Sequence, residues 1–164
     1  MNIFHYFLIL ATFLCTIVSG FLLAFSIVVM PGIKNLSDKQ FIKTFQVIDR
    51  VIQDRQPIFM LIWIGSLISI IIASILSFQE IEGYKLTLMI LASIIFLVCV
   101  HIPTILINVP LNNELQSFDT LTENTNSCKT TRDKFEVKWN HWNLIRTLFS
   151  CIASVLLLII VLLI

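Results

Sequence analysis

The chain has 164 residues, of which 57% are hydrophobic and 13% charged, with a formal net charge of +1 and a mean hydropathy of +0.94. One soluble domain of this size cannot bury so much apolar surface, so lipid is part of its solvent. The near-neutral charge excludes a basic field for nucleic acid, and no acidic tail is present.

Four runs carry no Asp, Glu, Lys or Arg: Met1 to Ile33, Gln56 to Gln79, Leu86 to Asn113, and Thr147 to Ile164. Crossing about 30 Å of hydrocarbon takes roughly 20 helical residues, because each residue rises about 1.5 Å and every amide must be satisfied within the segment. The expected architecture is all-α, a four-helix transmembrane bundle forming a single integral membrane domain over residues 1–164. Its spans are expected at about residues 3–30, 57–78, 86–107 and 144–164.

No Lys or Arg precedes the first run, and its apolar part is about twice the usual length of a signal-peptide core, so it reads as a retained helix. Pro31-Gly32 is expected to stop it. After it, Ser37-Asp38-Lys39-Gln40 forms a capping-box start, and Phe41, Phe45, Ile48 and Ile52 recur at helical spacing. This predicts an amphipathic helix from Ser37 to about Arg55 with Lys39, Lys43, Arg50 and Asp54 on its polar side. Such a helix either lies in the headgroup layer or roofs the bundle, with Gln46, Asp49 and Arg50 available to point inward or to pair. The second and third runs are joined by the short Gln79–Lys85 connection, which makes them antiparallel neighbours.

Basic residues fix the expected orientation. Lys34, Lys39, Lys43, Arg50 and Arg55 follow the first run, and Lys129, Arg132, Lys134 and Lys138 precede the fourth, against Lys85 alone at the other end. The positive-inside rule then puts both long loops in the cytoplasm, in the plasma (inner) membrane if the host is bacterial. The four cysteines are scattered, with Cys15, Cys99 and Cys151 in apolar runs and Cys128 in a loop. No C-x-x-C pair occurs, so neither a metal knuckle nor a disulfide framework is indicated.

The third run ends in polar residues at expensive depth. At about 100° per residue, His101, Thr104 and Asn108 share one face within roughly 60°. Intramembrane ionisable groups face a bundle interior or a wet cavity. His101 therefore reads either as a base or as a neutral histidine bonded to a neighbouring helix. Pro103 frees a carbonyl one turn earlier, offering a kink or a ligand-facing oxygen. At the start of the fourth run, Trp139, Trp142, Asn143 and Arg146 share an arc of about 100°, while His141 points away. The tryptophans suit an aromatic belt. Arg146 either snorkels to the interface or shares a pocket with Asn108, where a guanidinium and carboxamides would suit a ligand with carbonyl or phenolate oxygens.

Asn108-Val109-Pro110-Leu111-Asn112-Asn113, followed by Trp139-x-x-Trp142-Asn143-x-x-Arg146-Thr147, resembles the anthrone oxygenase-like family of small four-helix membrane proteins. Met30-Pro31 and Gln46-Val47-Ile48-Asp49-Arg50 extend the resemblance over nearly the whole chain. It implies oxidation of anthrones to anthraquinones by O₂ with no metal, flavin or other cofactor. His101 and His141 fall outside the family pattern, so a histidine base rests on the residues alone.

The resulting expectation is an oxygenase acting on a phenolic or anthrone-like lipophilic compound. His101 and Arg146 are its candidate catalytic residues, and Thr104, Asn108, Asn112, Trp142 and Asn143 its substrate-binding ones. The alternatives are a non-catalytic membrane protein that binds a lipid or quinone-like ligand or assists a membrane partner, and, third, a transporter. The expected partners are membrane lipid and a lipophilic small molecule; the oligomeric state is open.

Overall fold

A computed structural model describes residues 2–164, and all regular structure among them is helical. Four helices are long and apolar enough to span a membrane: α1 (Ile3–Ile33), α3 (Pro57–Glu80), α4 (Gly83–Ser117) and α5 (Thr125–Leu163). Between α1 and α3 lies α2 (Asp38–Gln53), with Ser37 and Gln40 forming its capping box. Large apolar side chains such as Ile27, Leu61, Ile75, Leu106 and Leu148 stand exposed on all four long helices. An apolar surface so extensive is a lipid-facing one, and the chain is a multi-pass integral membrane protein.

The spans hold together through small and hydroxyl-bearing residues, because lipid tails give apolar side chains little reason to prefer each other. Ser66, Ser69, Ala73 and Ser77 form the buried stripe of α3, which packs along α1. A Cβ at Gly65 would approach Leu14 Cδ1 to 3.1 Å, so the absence of a side chain there sets the close approach of the two helices. Ser19 and Ser154 join α1 to α5 at 2.9 Å, and Ser26 and Thr147 do so again at 3.1 Å.

Three predicted helix limits are corrected. Pro31 does not end α1, which runs on to Ile33, and Pro103 and Pro110 do not end α4, which reaches Ser117 instead of stopping near residue 107. Each proline is preceded by a widened π segment ending two residues before it: Phe25–Val29 before Pro31, Ile95–His101 before Pro103, and Thr104–Asn108 before Pro110. Proline removes a donor and crowds the carbonyl one turn back. Widening the turn ahead of it shifts the hydrogen-bond register and lets the helix pass through.

The fourth helix also begins about 19 residues before the expected start at residue 144, since Thr125–Leu163 is one continuous helix. At about 1.5 Å per residue its 39 residues reach roughly 58 Å, about twice the hydrocarbon thickness. The polar first third of α5 therefore stands outside the membrane, where α2 packs against it and against the last turns of α4. Cys128, expected in a loop, is buried on this extension. Arg132 ties the extension to the end of α1. It donates to the carbonyls of Lys34 and Leu36, pairs with Asp38 at 3.0 Å and Glu136 at 2.7 Å, and lies over the Phe41 ring.

Candidate functional site

The roof position of α2 follows from its polar stripe. Gln46 donates from Nε2 to the carbonyls of Leu115 and Phe118, each at 2.8 Å. Asp49 accepts from Asn112 Nδ2 at 2.7 Å, Gln116 Nε2 at 3.0 Å and Gln53 Nε2 at 3.2 Å. Phe41 and Phe45 bury against Phe135 and Trp139 of α5. Gln46 and Asp49 thus point inward as the sequence allowed, whereas Arg50 is exposed.

Beneath this roof is a cavity of about 220 Å³. Its walls are largely aromatic, with Phe21 and Phe25 from α1, Phe45 from α2, Phe59 and Trp63 from α3, and Trp139 from α5. The polar lining consists of Asp49, Thr104, Asn108, Asn112, Asn143 and Arg146. The side chains at its edge are apolar: Ile52, Phe59, Met60 and Trp63 are half-buried, and Val109 is 42% exposed. These edge residues lie where α3 and the last turns of α4 diverge, the two helices packing together mainly toward their shared Gln79–Lys85 connection. An apolar edge of this kind suits entry from lipid rather than from water.

Arg146 is the centre of the polar wall. Only 4% exposed and 22 residues into α5, it does not snorkel. Nη1 donates to Thr104 Oγ1 at 2.9 Å and Nη2 to Asn143 Oδ1 at 2.8 Å, while the guanidinium carbon lies 5.9 Å from the Trp139 ring centre. Asn143 is fixed in turn by donating to Ser26 Oγ at 2.7 Å and to the Leu22 carbonyl at 3.2 Å. Among the described residues the ion pairs belong to Arg132, and no carboxylate pairs with Arg146.

Two buried polar atoms on this wall have no partner among the described residues: Arg146 Nε, a donor, and Asn108 Oδ1, an acceptor. Buried polar groups are nearly always satisfied, so an unpaired donor and an unpaired acceptor lining one cavity are the groups a ligand would complete. Asn108 itself makes only a long 3.5 Å contact to the Trp139 carbonyl. Trp139 Nε1 donates to Asn112 Oδ1 at 2.8 Å, and Asn112 passes a second bond to Asp49, which fastens the aromatic wall to the roof.

The structure therefore brings Arg146, Thr104, Asn108, Asn112 and Asn143 together in one cavity. Two other expected residues lie elsewhere. Trp142 is half-buried and does not line the cavity, its ring resting against the exposed His141 in the manner of an aromatic belt. Trp139, one turn earlier, takes the place expected for it. His101 sits behind the wall, 5.5 Å from Trp63 and 5.0 Å from Phe96 between ring centres, with Nδ1 3.3 Å from the Phe96 carbonyl. Its buried Nε2 has no partner among the described residues. The sequence offered Phe45 only as part of an amphipathic face and Asp49 only as a residue to point inward or to pair, and it did not single out Trp63 or Ser26.

The sequence model of the family described as Anthrone oxygenase matches residues 58–156, which hold Trp63, Thr104, Asn108, Asn112, Trp139, Asn143 and Arg146. No curated protein and no solved structure matches. With more than half of its length matched, and with all of the cavity's polar lining except Asp49 inside that stretch, the chain belongs to the anthrone oxygenase family.

Proposed function

We propose that the chain is a membrane-embedded oxygenase that oxidises a flat phenolic or anthrone-like compound with O₂. The observation that carries this reading is the pair of unpartnered atoms on the cavity wall, Arg146 Nε and Asn108 Oδ1. A ligand carbonyl or phenolate oxygen satisfies the guanidinium, and a neighbouring ligand hydroxyl satisfies the amide oxygen. Thr104 and Asn143 hold the guanidinium plane in place. Charge that develops on the ligand oxygen then meets a cation already oriented in a dry site, where such stabilisation is strongest.

Aromatic walls fit a planar ring system, and the apolar mouth between α3 and α4 admits a compound dissolved in the bilayer. His101, expected as the base, reaches the ligand only if Trp63 moves aside. In the resting arrangement its role is to buttress that ring. The basic residues at the roof end support a cytoplasmic location for α2 and for the start of α5. A non-catalytic ligand-binding protein is the second reading, favoured by one observation: the guanidinium already joins α5 to α4 through Thr104, as a purely structural lock would.

The test uses purified protein in lipid nanodiscs with anthrone as the probe. Wild type should bind anthrone and consume O₂. Arg146→Lys should remain inserted yet lose most of its turnover, because lysine keeps the charge without the planar fork of donors. Binding without O₂ uptake in wild type would favour the second reading, and no binding of anthrone at all would overturn the oxygenase reading.

A further inference from the structure

Two opposite charges line the one cavity and do not meet. Asp49, 3% exposed, is held by the amides of Asn112, Gln116 and Gln53. Arg146 is held by Thr104 and Asn143. In a site of low dielectric a carboxylate and a guanidinium attract strongly, yet neutral partners tie each to its own wall. Trp139 stands between them, bonded through Asn112 to one and lying beneath the other. A ligand seated between the walls has a cation at one side and a carboxylate at the other.

We propose that Asp49 is the proton acceptor of this site, an inference that rests on the oxygenase reading above. Apart from the guanidinium of Arg146, which offers donors alone, Asp49 is the lining side chain with an ionisable group, a carboxylate that can take up a proton, and His101 does not line the cavity. A carboxylate offers about four acceptor positions, and three amide hydrogens fill three of them. The remaining one, on Oδ1, is the position that the ligand C–H would take.

In the step assigned to Asp49, the acidic methylene C–H of the ligand breaks. The proton goes to a carboxylate oxygen, and the electron pair remains on the ligand, spread onto the ring oxygen that faces Arg146. O₂, the co-substrate of the proposed reaction, accepts an electron from this carbanion and combines with the resulting radical at the same carbon. The peroxide anion takes back the proton from Asp49. Removal of the second C–H proton and cleavage of the O–O bond then leave a ketone and water, so that CH₂ and O₂ become C=O and H₂O.

Hydrogen–deuterium exchange of the anthrone methylene, measured without O₂ in deuterated buffer with protein in nanodiscs, isolates the first transfer. Wild type should accelerate exchange above the buffer rate. Asp49→Asn, which keeps an oxygen for the amide donors, should lower the protein-dependent rate by at least about 100-fold, in the range that general-base groups contribute. Anthrone binding by the variant should persist. Retention of exchange within a few-fold in Asp49→Asn, or its loss in His101→Gln with Asp49→Asn unaffected, would overturn the assignment.

Should Asp49→Asn fail to fold, difference infrared spectroscopy of wild type with ¹³C-labelled aspartate decides. A protonated-carboxyl band that appears on anaerobic addition of anthrone and shifts with the label supports the inference. Formation of the ligand anion without that band refutes it. Wild type that neither binds anthrone nor accelerates exchange would instead bring down the oxygenase reading, a separate outcome.

Discussion

Replacing Arg146 by methionine separates a functional guanidinium from a structural one. A buried charge with no carboxylate partner bears a desolvation cost of several kcal/mol, which an apolar side chain of similar length removes. Against that gain, Asn143 Oδ1 loses its donor, worth about 1–3 kcal/mol for a buried group. Thr104 keeps its own 2.7 Å bond to the Val100 carbonyl, so its loss is smaller. The terms nearly cancel, and Arg146→Met should lie within about 2 kcal/mol of wild type or above it, a Tm change of roughly 4–8 °C at most. Anthrone binding should weaken by between about 10- and 150-fold, the equivalent of one hydrogen bond to a charged group, about 1.5–3 kcal/mol. Thermal unfolding in nanodiscs, followed with and without anthrone, reads both quantities at once. A much larger fall in Tm, with the ligand-induced shift intact, would show that Arg146 serves to lock α4 to α5 and that the cavity does not depend on its charge.

Three further outcomes are expected. Arg132→Ala should destabilise by about 2–4 kcal/mol in thermal unfolding, because it strips the donors from two α1-end carbonyls and leaves Asp38 and Glu136 unpaired; a change below 0.5 kcal/mol would mean that the junction of α1 and α5 is held by packing alone. Native Cys128 is buried and should resist impermeant thiol reagents from either side, so the orientation is read at the exposed Asn126→Cys, which should label only after the membrane is opened; labelling in intact cells would invert the topology. Val109→Trp at the lipid-facing mouth should slow anthrone association several-fold and leave unfolding nearly unchanged, as seen in stopped-flow fluorescence; an unchanged association rate would place the ligand's route elsewhere.

The spans were legible in the sequence because lipid makes a length-and-charge test sufficient, and α2 was legible because its capping box and its period of 3.6 agree. The errors in the third run share a cause. Angular reasoning along the third run assumed an unbroken α-helix and grouped His101 with Thr104 and Asn108. His101 in fact closes one π segment and Thr104 opens the next, so the wheel does not carry across Pro103. Thr104 and Asn108 reach the cavity while the imidazole turns behind Trp63. Reading proline as a terminator failed at Pro31 for a related reason: the π segment ahead of it, like those ahead of Pro103 and Pro110, lets the helix pass through.

The residues missed at the site are those whose role depends on a partner far away in the chain. Nothing local to Gln46-Val47-Ile48-Asp49-Arg50 tells which of its polar groups turns inward. That is decided by Asn112 and Gln116, more than sixty positions on, whose amides meet Asp49 and leave Arg50 in solvent. Trp139 and Trp142 are alike as a pair at a membrane boundary, and only the meeting of Trp139 Nε1 with Asn112 Oδ1 distinguishes the wall from the belt. The bundle places its spans by composition and its site by amide side chains. Asn108, Asn112 and Asn143 each make contacts across helices, and those contacts keep Asp49 and Arg146 buried, opposite in charge and apart. Substituting any of these asparagines should therefore disturb the site before it disturbs the insertion of the helices.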